Sequence, residues 1–141
     1  MKQIEIYSDG GSRNNPGIAG AGAIIKYKNG DTIATVSEYL GIQTNNWAEY
    51  QALILALTEL EKCIPSSELK DTAVQVYLDS ELIVKQLSGE YRVKVEALKK
   101  QHAVAKALLE RIPQVLVSHI RREKNTEADR LANEAMDRGL V

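Results

Sequence analysis

Four carboxylates, Asp9, Glu49, Asp79 and Asp129, stand where a folded chain could gather them. Asp9 follows the β-forming run Ile4-Glu5-Ile6-Tyr7-Ser8, and Asp79 closes the apolar run Val74-Gln75-Val76-Tyr77-Leu78. If those two runs are neighbouring parallel strands, the two aspartates occupy matching positions on one sheet edge. Strands lie about 5 Å apart, so the carboxylates would face each other. Glu49 shares a helix face with Leu53, Ala56 and Leu60, and Asp129 falls in the first turn of a helix, just off the stripe Ala128, Leu131, Ala132 and Met136. Like charges that close repel unless a cation sits between them. Oxygen ligands alone make a site for a hard divalent ion, for which Mg²⁺ is suited, and no cysteine or histidine cluster offers a softer one.

Each acid also has an ordinary explanation. Asp9-Gly10-Gly11 reads as a turn that stops a strand. Asn46 and Glu49 have capping-box spacing. Asp79 could be a helix N-cap, and Asp129 could simply favour a helix dipole. The case for chemistry is the joint placement of all four at strand ends or early helix turns.

The elements that must position them are legible in order. Arg13-Asn14-Asn15-Pro16-Gly17 is a polar turn, followed by a strand over 19–27 whose small residues let another element approach its backbone. Asn29-Gly30 marks a tight hairpin into a third strand, Thr32 to Leu40. The periodicity predicts a long helix over 45–62, with Leu53, Ala56, Leu57 and Leu60 inward, ended at Ile64-Pro65-Ser66-Ser67. The strand at 74–78 follows and should run parallel to the first. Further helices are expected from Leu82 to Leu87, over 95–111 and over 125–138, with a fifth strand over 114–120 between the last two. The order βββαβααβα specifies an α/β domain with a mixed five-stranded sheet, three strands antiparallel and two parallel.

The 141 residues suffice for one domain, expected to span residues 1–141. With no Phe and one Trp, aliphatic side chains must fill most of the core. A net charge of −1 supplies no global field for polyanions, so nucleic-acid binding must rest on a local patch or on metal. The single cysteine, Cys63, excludes an intramolecular disulfide and reads as a structural thiol in a reducing cytosol. Neither a signal-peptide pattern nor a membrane-spanning apolar run is present, which leads to the expectation of a cytoplasmic protein.

Tyr7-Ser8-Asp9-Gly10-Gly11-Ser12 with Asn15-Pro16-Gly17, Thr44-Asn45-Asn46 with Ala48-Glu49, Leu78-Asp79-Ser80, and Asn125 with Ala128-Asp129-Arg130-Leu131-Ala132 resemble type 1 ribonuclease H, in order and over essentially the whole chain. The resemblance implies a ribonuclease H-like fold and an endonuclease that cuts the RNA strand of RNA–DNA hybrids to 5′-phosphate and 3′-hydroxyl ends. It implies that Asp9, Glu49, Asp79 and Asp129 hold two Mg²⁺ ions, with Mn²⁺ as a substitute. It further assigns Gly11, Ser12, Asn15, Asn45, Asn46 and Gln86 to the minor groove, Thr44 to a DNA phosphate and Ser80 to the substrate backbone. On residue type alone, Asn15 could equally serve a turn and Thr44 to Asn46 a helix cap. A monomer is expected.

Three departures from that family pattern carry consequences. Arg121-Arg122-Glu123-Lys124-Asn125 is too short for the histidine-bearing loop of many members; Arg121, Arg122 and Lys124 offer charge instead. His119 reads as a strand-face residue and His102 as helical, neither catalytic. Gly89-Glu90-Tyr91-Arg92-Val93-Lys94 leaves no room for a basic protrusion, so hybrid binding should be weak and salt-sensitive. Ile42 stands where some relatives carry an arginine, which leaves double-stranded RNA open as a second substrate. Two other classes compete: a non-catalytic nucleic-acid-binding module of the same fold, and a proofreading-type exonuclease. The first is disfavoured by the presence of all four acids, the second by Asp9 being followed by two glycines where an Asp-x-Glu pair is usual.

Overall fold

The computed structural model describes residues 2–140. Three strands open the chain, β1 (Lys2–Arg13), β2 (Gly17–Tyr27) and β3 (Thr32–Gln43), followed by the helices α1 (Asn45–Cys63) and α2 (Ser66–Leu69). Strand β4 (Thr72–Leu78), helices α3 (Glu81–Ser88) and α4 (Glu96–Glu110), strand β5 (Val115–His119), a 3₁₀ turn (Arg122–Lys124) and α5 (Thr126–Arg138) complete it. The sheet order is β3-β2-β1-β4-β5. The β1–β2 and β2–β3 pairs are antiparallel, and β1–β4 and β4–β5 parallel. This is the architecture expected from the hydrophobic periods, with one added turn of helix at Ser66–Leu69 where a loop was expected.

Alternation along β1 and β4 sends Ile4, Ile6, Val74, Val76 and Leu78 into one core with Leu53, Leu57 and Leu60 of α1 and Leu98, Ala105 and Leu108 of α4. The stripe on α5 (Ala128, Leu131, Ala132, Met136) is buried as well, and this helix lies over β2. Glycines set how closely the helices approach the sheet: Gly20 lies under α5 near Ala132, and Gly10 and Gly22 lie next to the acids. A Cβ on Gly10 would fall 2.1 Å from the Ala48 carbonyl oxygen of α1, and one on Gly22 would fall 2.2 Å from the Ala128 carbonyl oxygen of α5. Both obstacles are backbone, so no side-chain rotation relieves them. Gly22→Ala is expected to cost at least about 2–3 kcal/mol, as overpacking does, read as a lower urea midpoint with an unchanged slope.

Several local readings need correction. Asp9-Gly10-Gly11 does not stop β1: Gly10 pairs with Ala21, Gly11 with Gly20 and Ser12 with Ala19, so the ladder with β2 carries the strand to Arg13. Strand β3 likewise passes Leu40 to reach Gln43 through a register shift opposite Ala19 and Gly20, where a bulge absorbs the extra residue. Thr44, not Asn46, caps α1, its hydroxyl accepting from the Trp47 N–H at 3.2 Å. Glu49 is therefore free of any capping box. Ser80, not Asp79, caps α3 through the Ile83 N–H. Cys63, the last residue of α1, is exposed and so is no packed structural thiol. No helix among the described residues is long and apolar enough to cross a membrane.

Candidate active site

The parallel register explains why two aspartates meet. The β1–β4 ladder ends with Ser8 opposite Leu78, so the next residues on the two strands are Asp9 and Asp79. Asp9 remains bonded into the ladder with β2 opposite Gly22, which makes its backbone rigid. Glu49 arrives from α1 one residue beyond Ala48, the residue that rests on Gly10. Carboxylate oxygens of Asp9, Glu49 and Asp79 all lie within 4.8 Å of one another. Asp129, from α5, stands outside that set of three, and its charge acts on Asp9. All four line one cavity of about 470 Å³ at this sheet edge.

The electrostatics are those of a self-repelling cluster. Asp9 is pushed up to about 8 by burial, then by the Asp79 charge and by Asp129, while a hydrogen bond with Glu49 holds it down. Glu49 is raised well above the ordinary carboxylate range by burial first, then by Asp9 and Asp79. Its Oε2 is buried with no hydrogen-bond partner among the described residues. An orphaned carboxylate oxygen beside two more acids is an unfinished ligand set, and hard divalent cations complete such sets.

On the side of α1 the rim is neutral and polar. Asn45 Oδ1 accepts from the Ser12 N–H at 2.7 Å and from its hydroxyl at 3.2 Å, and the Asn45 N–H donates to Asn15 Oδ1 at 3.0 Å. Gly11, Ser12, Asn45, Asn46 and Ser80 line the acid cavity. Asn15 and Thr44 stand behind this rim, Asn15 orienting Asn45 and Thr44 starting the helix. Gln86 lies further off, buried, its Oε1 accepting from the Tyr50 hydroxyl at 2.6 Å. It borders a neighbouring groove of about 420 Å³ that Asn46 shares. His119 is exposed on β5, and His102 contacts the Gln86 carbonyl oxygen at 3.1 Å; neither lines the acid cavity.

Of the three basic residues that the sequence offered for charge, Arg122 lines the cavity, whereas Arg121 and Lys124 do not; Arg13 and Asn133 are lining residues that sequence reasoning missed. Strand alternation from Asp9 finds Arg13, and helical spacing from Asp129 finds Asn133 four residues on. Arg13 Nη2 donates to Asn133 Oδ1 at 3.2 Å and pairs with Asp137 at 2.8 Å, tying the end of β1 to α5.

A family described as reverse transcriptase-like matches residues 7–135. Among solved structures, LC11-RNase H1, isolated from compost, is 47% identical and superposes with a TM-score of 0.92 over the whole of both chains. That same protein in complex with RNA/DNA hybrid gives a TM-score of 0.88 at 45% identity, covering 98% of this chain and 99% of that one. Ribonuclease HI of Halobacterium salinarum is 34% identical over 135 residues, 96% of this chain and 65% of the relative. A bifunctional protein of Mycobacterium tuberculosis is 40% identical over 136 residues, 96% of this chain but only 36% of its own length. The chain thus spans about a third of the length of the first curated relatives it matches. It belongs to the type 1 ribonuclease H family.

Proposed function

We propose that this protein is a metal-dependent endoribonuclease that hydrolyses the RNA strand of RNA–DNA hybrids, leaving 5′-phosphate and 3′-hydroxyl ends. The observation that carries this reading is the set of carboxylate oxygens from Asp9, Glu49 and Asp79 within 4.8 Å, with Asp129 lining the same cavity. These four residues would hold two Mg²⁺ ions, with Mn²⁺ accepted. When bound, the ions supply activation of an attacking water and stabilisation of the leaving 3′-oxygen in one in-line displacement. The acids, Asp9 buried and the other three half-buried, contribute a fixed cradle, since Asp9 belongs to the sheet, Asp79 directly follows β4, and Glu49 and Asp129 lie on the two helices packed on it.

Around the cradle, Gly11, Ser12, Asn45 and Asn46 present neutral donors and acceptors suited to sugar hydroxyls and minor-groove base edges. Asn15 holds Asn45 in register for that contact, and Ser80 faces the scissile backbone. Thr44, exposed at the start of α1, is the candidate contact to a DNA phosphate. Gln86, with its carbonyl held by Tyr50, keeps its amide N–H groups for the duplex. The hybrid complex of LC11-RNase H1 supports this substrate class.

Double-stranded RNA is a second candidate substrate, favoured by Ile42 being 63% exposed, which offers no charge to select a DNA strand. The protein is proposed to act as a monomer in the cytoplasm, a compartment that suits its one unpaired cysteine.

Labelled RNA–DNA hybrid, double-stranded RNA and double-stranded DNA incubated with Mg²⁺, Mn²⁺ or a chelator test the reading. Hybrid should be cut with either metal, not in chelator, and DNA should survive throughout. Hybrid bound but uncut with both metals would establish the non-catalytic binding module instead.

A further inference from the structure

Asn125, the residue before α5, is 1% exposed and touches three of the elements that carry the acids. Its Nδ2 donates to the Ser8 carbonyl oxygen of β1 at 2.9 Å and to Asp79 Oδ2 at 3.0 Å. Its own carbonyl oxygen accepts from the Asp129 N–H at 3.0 Å. One residue therefore links the strand that bears Asp9, the carboxylate of Asp79 and the backbone of Asp129.

An asparagine at this position would ordinarily turn its side-chain oxygen onto an N–H of the first helical turn. Asn125 makes no such bond. The amide is instead directed across the sheet edge, and its Oδ1 is left buried without a partner among the described residues. Giving up a cap and orphaning an acceptor are both unfavourable. The compensation visible in the structure is the orientation of Asp79: one oxygen is occupied by Asn125, which fixes the plane of a carboxylate that belongs to the cluster with Asp9 and Glu49.

We infer that Asn125 is a positioning residue for the metal centre, holding Asp79 and the start of α5 against β1 so that the acids are set before any cation arrives. The inference rests on the metal-centre reading above. Partners that orient metal ligands commonly govern metal affinity by about 10–100-fold.

The test is a calorimetric titration of Mn²⁺ into protein free of nucleic acid, for wild type, Asn125→Ala and Ser37→Ala. Ser37 donates its hydroxyl to the Leu131 carbonyl oxygen at 2.7 Å and accepts from Arg138, so its loss loosens α5 on β3 without removing any contact to an acid side chain. Asn125→Ala should weaken Mn²⁺ binding by about 10–100-fold, with kcat on hybrid recovering as Mn²⁺ is raised to saturation. Ser37→Ala should lower the Tm yet leave Mn²⁺ affinity within about twofold of wild type, well short of that range. Affinity within twofold for Asn125→Ala, or an equal loss in Ser37→Ala, overturns the inference. If Asn125→Ala does not fold, Asn125→Ser carries the same titration; failure of that variant to fold marks a purely structural pin and overturns it as well. A wild-type protein that binds no Mn²⁺ defeats the metal-centre reading itself, a result distinct from unchanged affinity in the variant.

Discussion

Asp79→Asn should abolish hybrid cleavage while making the metal-free protein more stable. The loss of rate should exceed the roughly 10–100-fold that outer partners of a metal ligand cost, because a ligand itself is removed. The gain in stability comes from the same charge. Asp79 is the leading charged contributor to the raised Asp9, and it acts on Glu49 as well. Neutralising it relieves both. An increase of about 1 kcal/mol would raise the Tm in chelator at pH 8 by roughly 3–5 °C for a chain of this size. Single-turnover cleavage and thermal unfolding on the same preparations give the two readouts. A variant that cuts at the wild-type rate, or that melts lower than wild type in chelator, would mean that these carboxylates do not share a centre.

Without divalent metal, the protein should lose stability as pH rises. Asp9 and Glu49 both titrate above their ordinary range in the folded state, Asp9 at about 8. Between the unfolded value near 4 and the folded one, the native state holds more protons than the unfolded state. Stability therefore falls with increasing pH across that window, by up to about 1.4 kcal/mol per pH unit for each proton held. Asp9 alone accounts for about 3–4 kcal/mol between pH 5 and pH 8, so a Tm lower by roughly 10–20 °C at pH 8 than at pH 5 is expected in chelator. Saturating Mg²⁺ should remove most of that slope, since a cation favours the ionised carboxylates. A pH-independent Tm in chelator would show that the acids are not forced together.

Much of this centre could be read from residue order because its parts obey local rules. The stripe Leu53, Ala56, Leu57, Leu60 declares a helix and therefore the face on which Glu49 lies. Asn29-Gly30 declares a hairpin, and the helix separating β3 from β4 requires the parallel return that sets Asp79 beside Asp9. What escaped depends on distant partners. Gly10 and Gly11 look like a stop until β2 is present to pair with them. The direction of the Asn125 amide is decided by Ser8, 117 residues earlier, and by Asp79, 46 residues earlier. Thr44 and Asn46 are both plausible caps on composition, and only the backbone at Thr44, extended before the first helical residue, decides between them.

The missing side chains at Gly10 and Gly22 bear on how relatives of this chain should be sorted. One methyl group at either place would wedge a helix outward and carry Glu49 or Asp129 with it, though no acid had changed. A gene copy could thus keep every carboxylate and still be a silent pseudoenzyme. Surveys that score such copies by their acids alone would count it among the active ones, whereas two glycine positions would expose it.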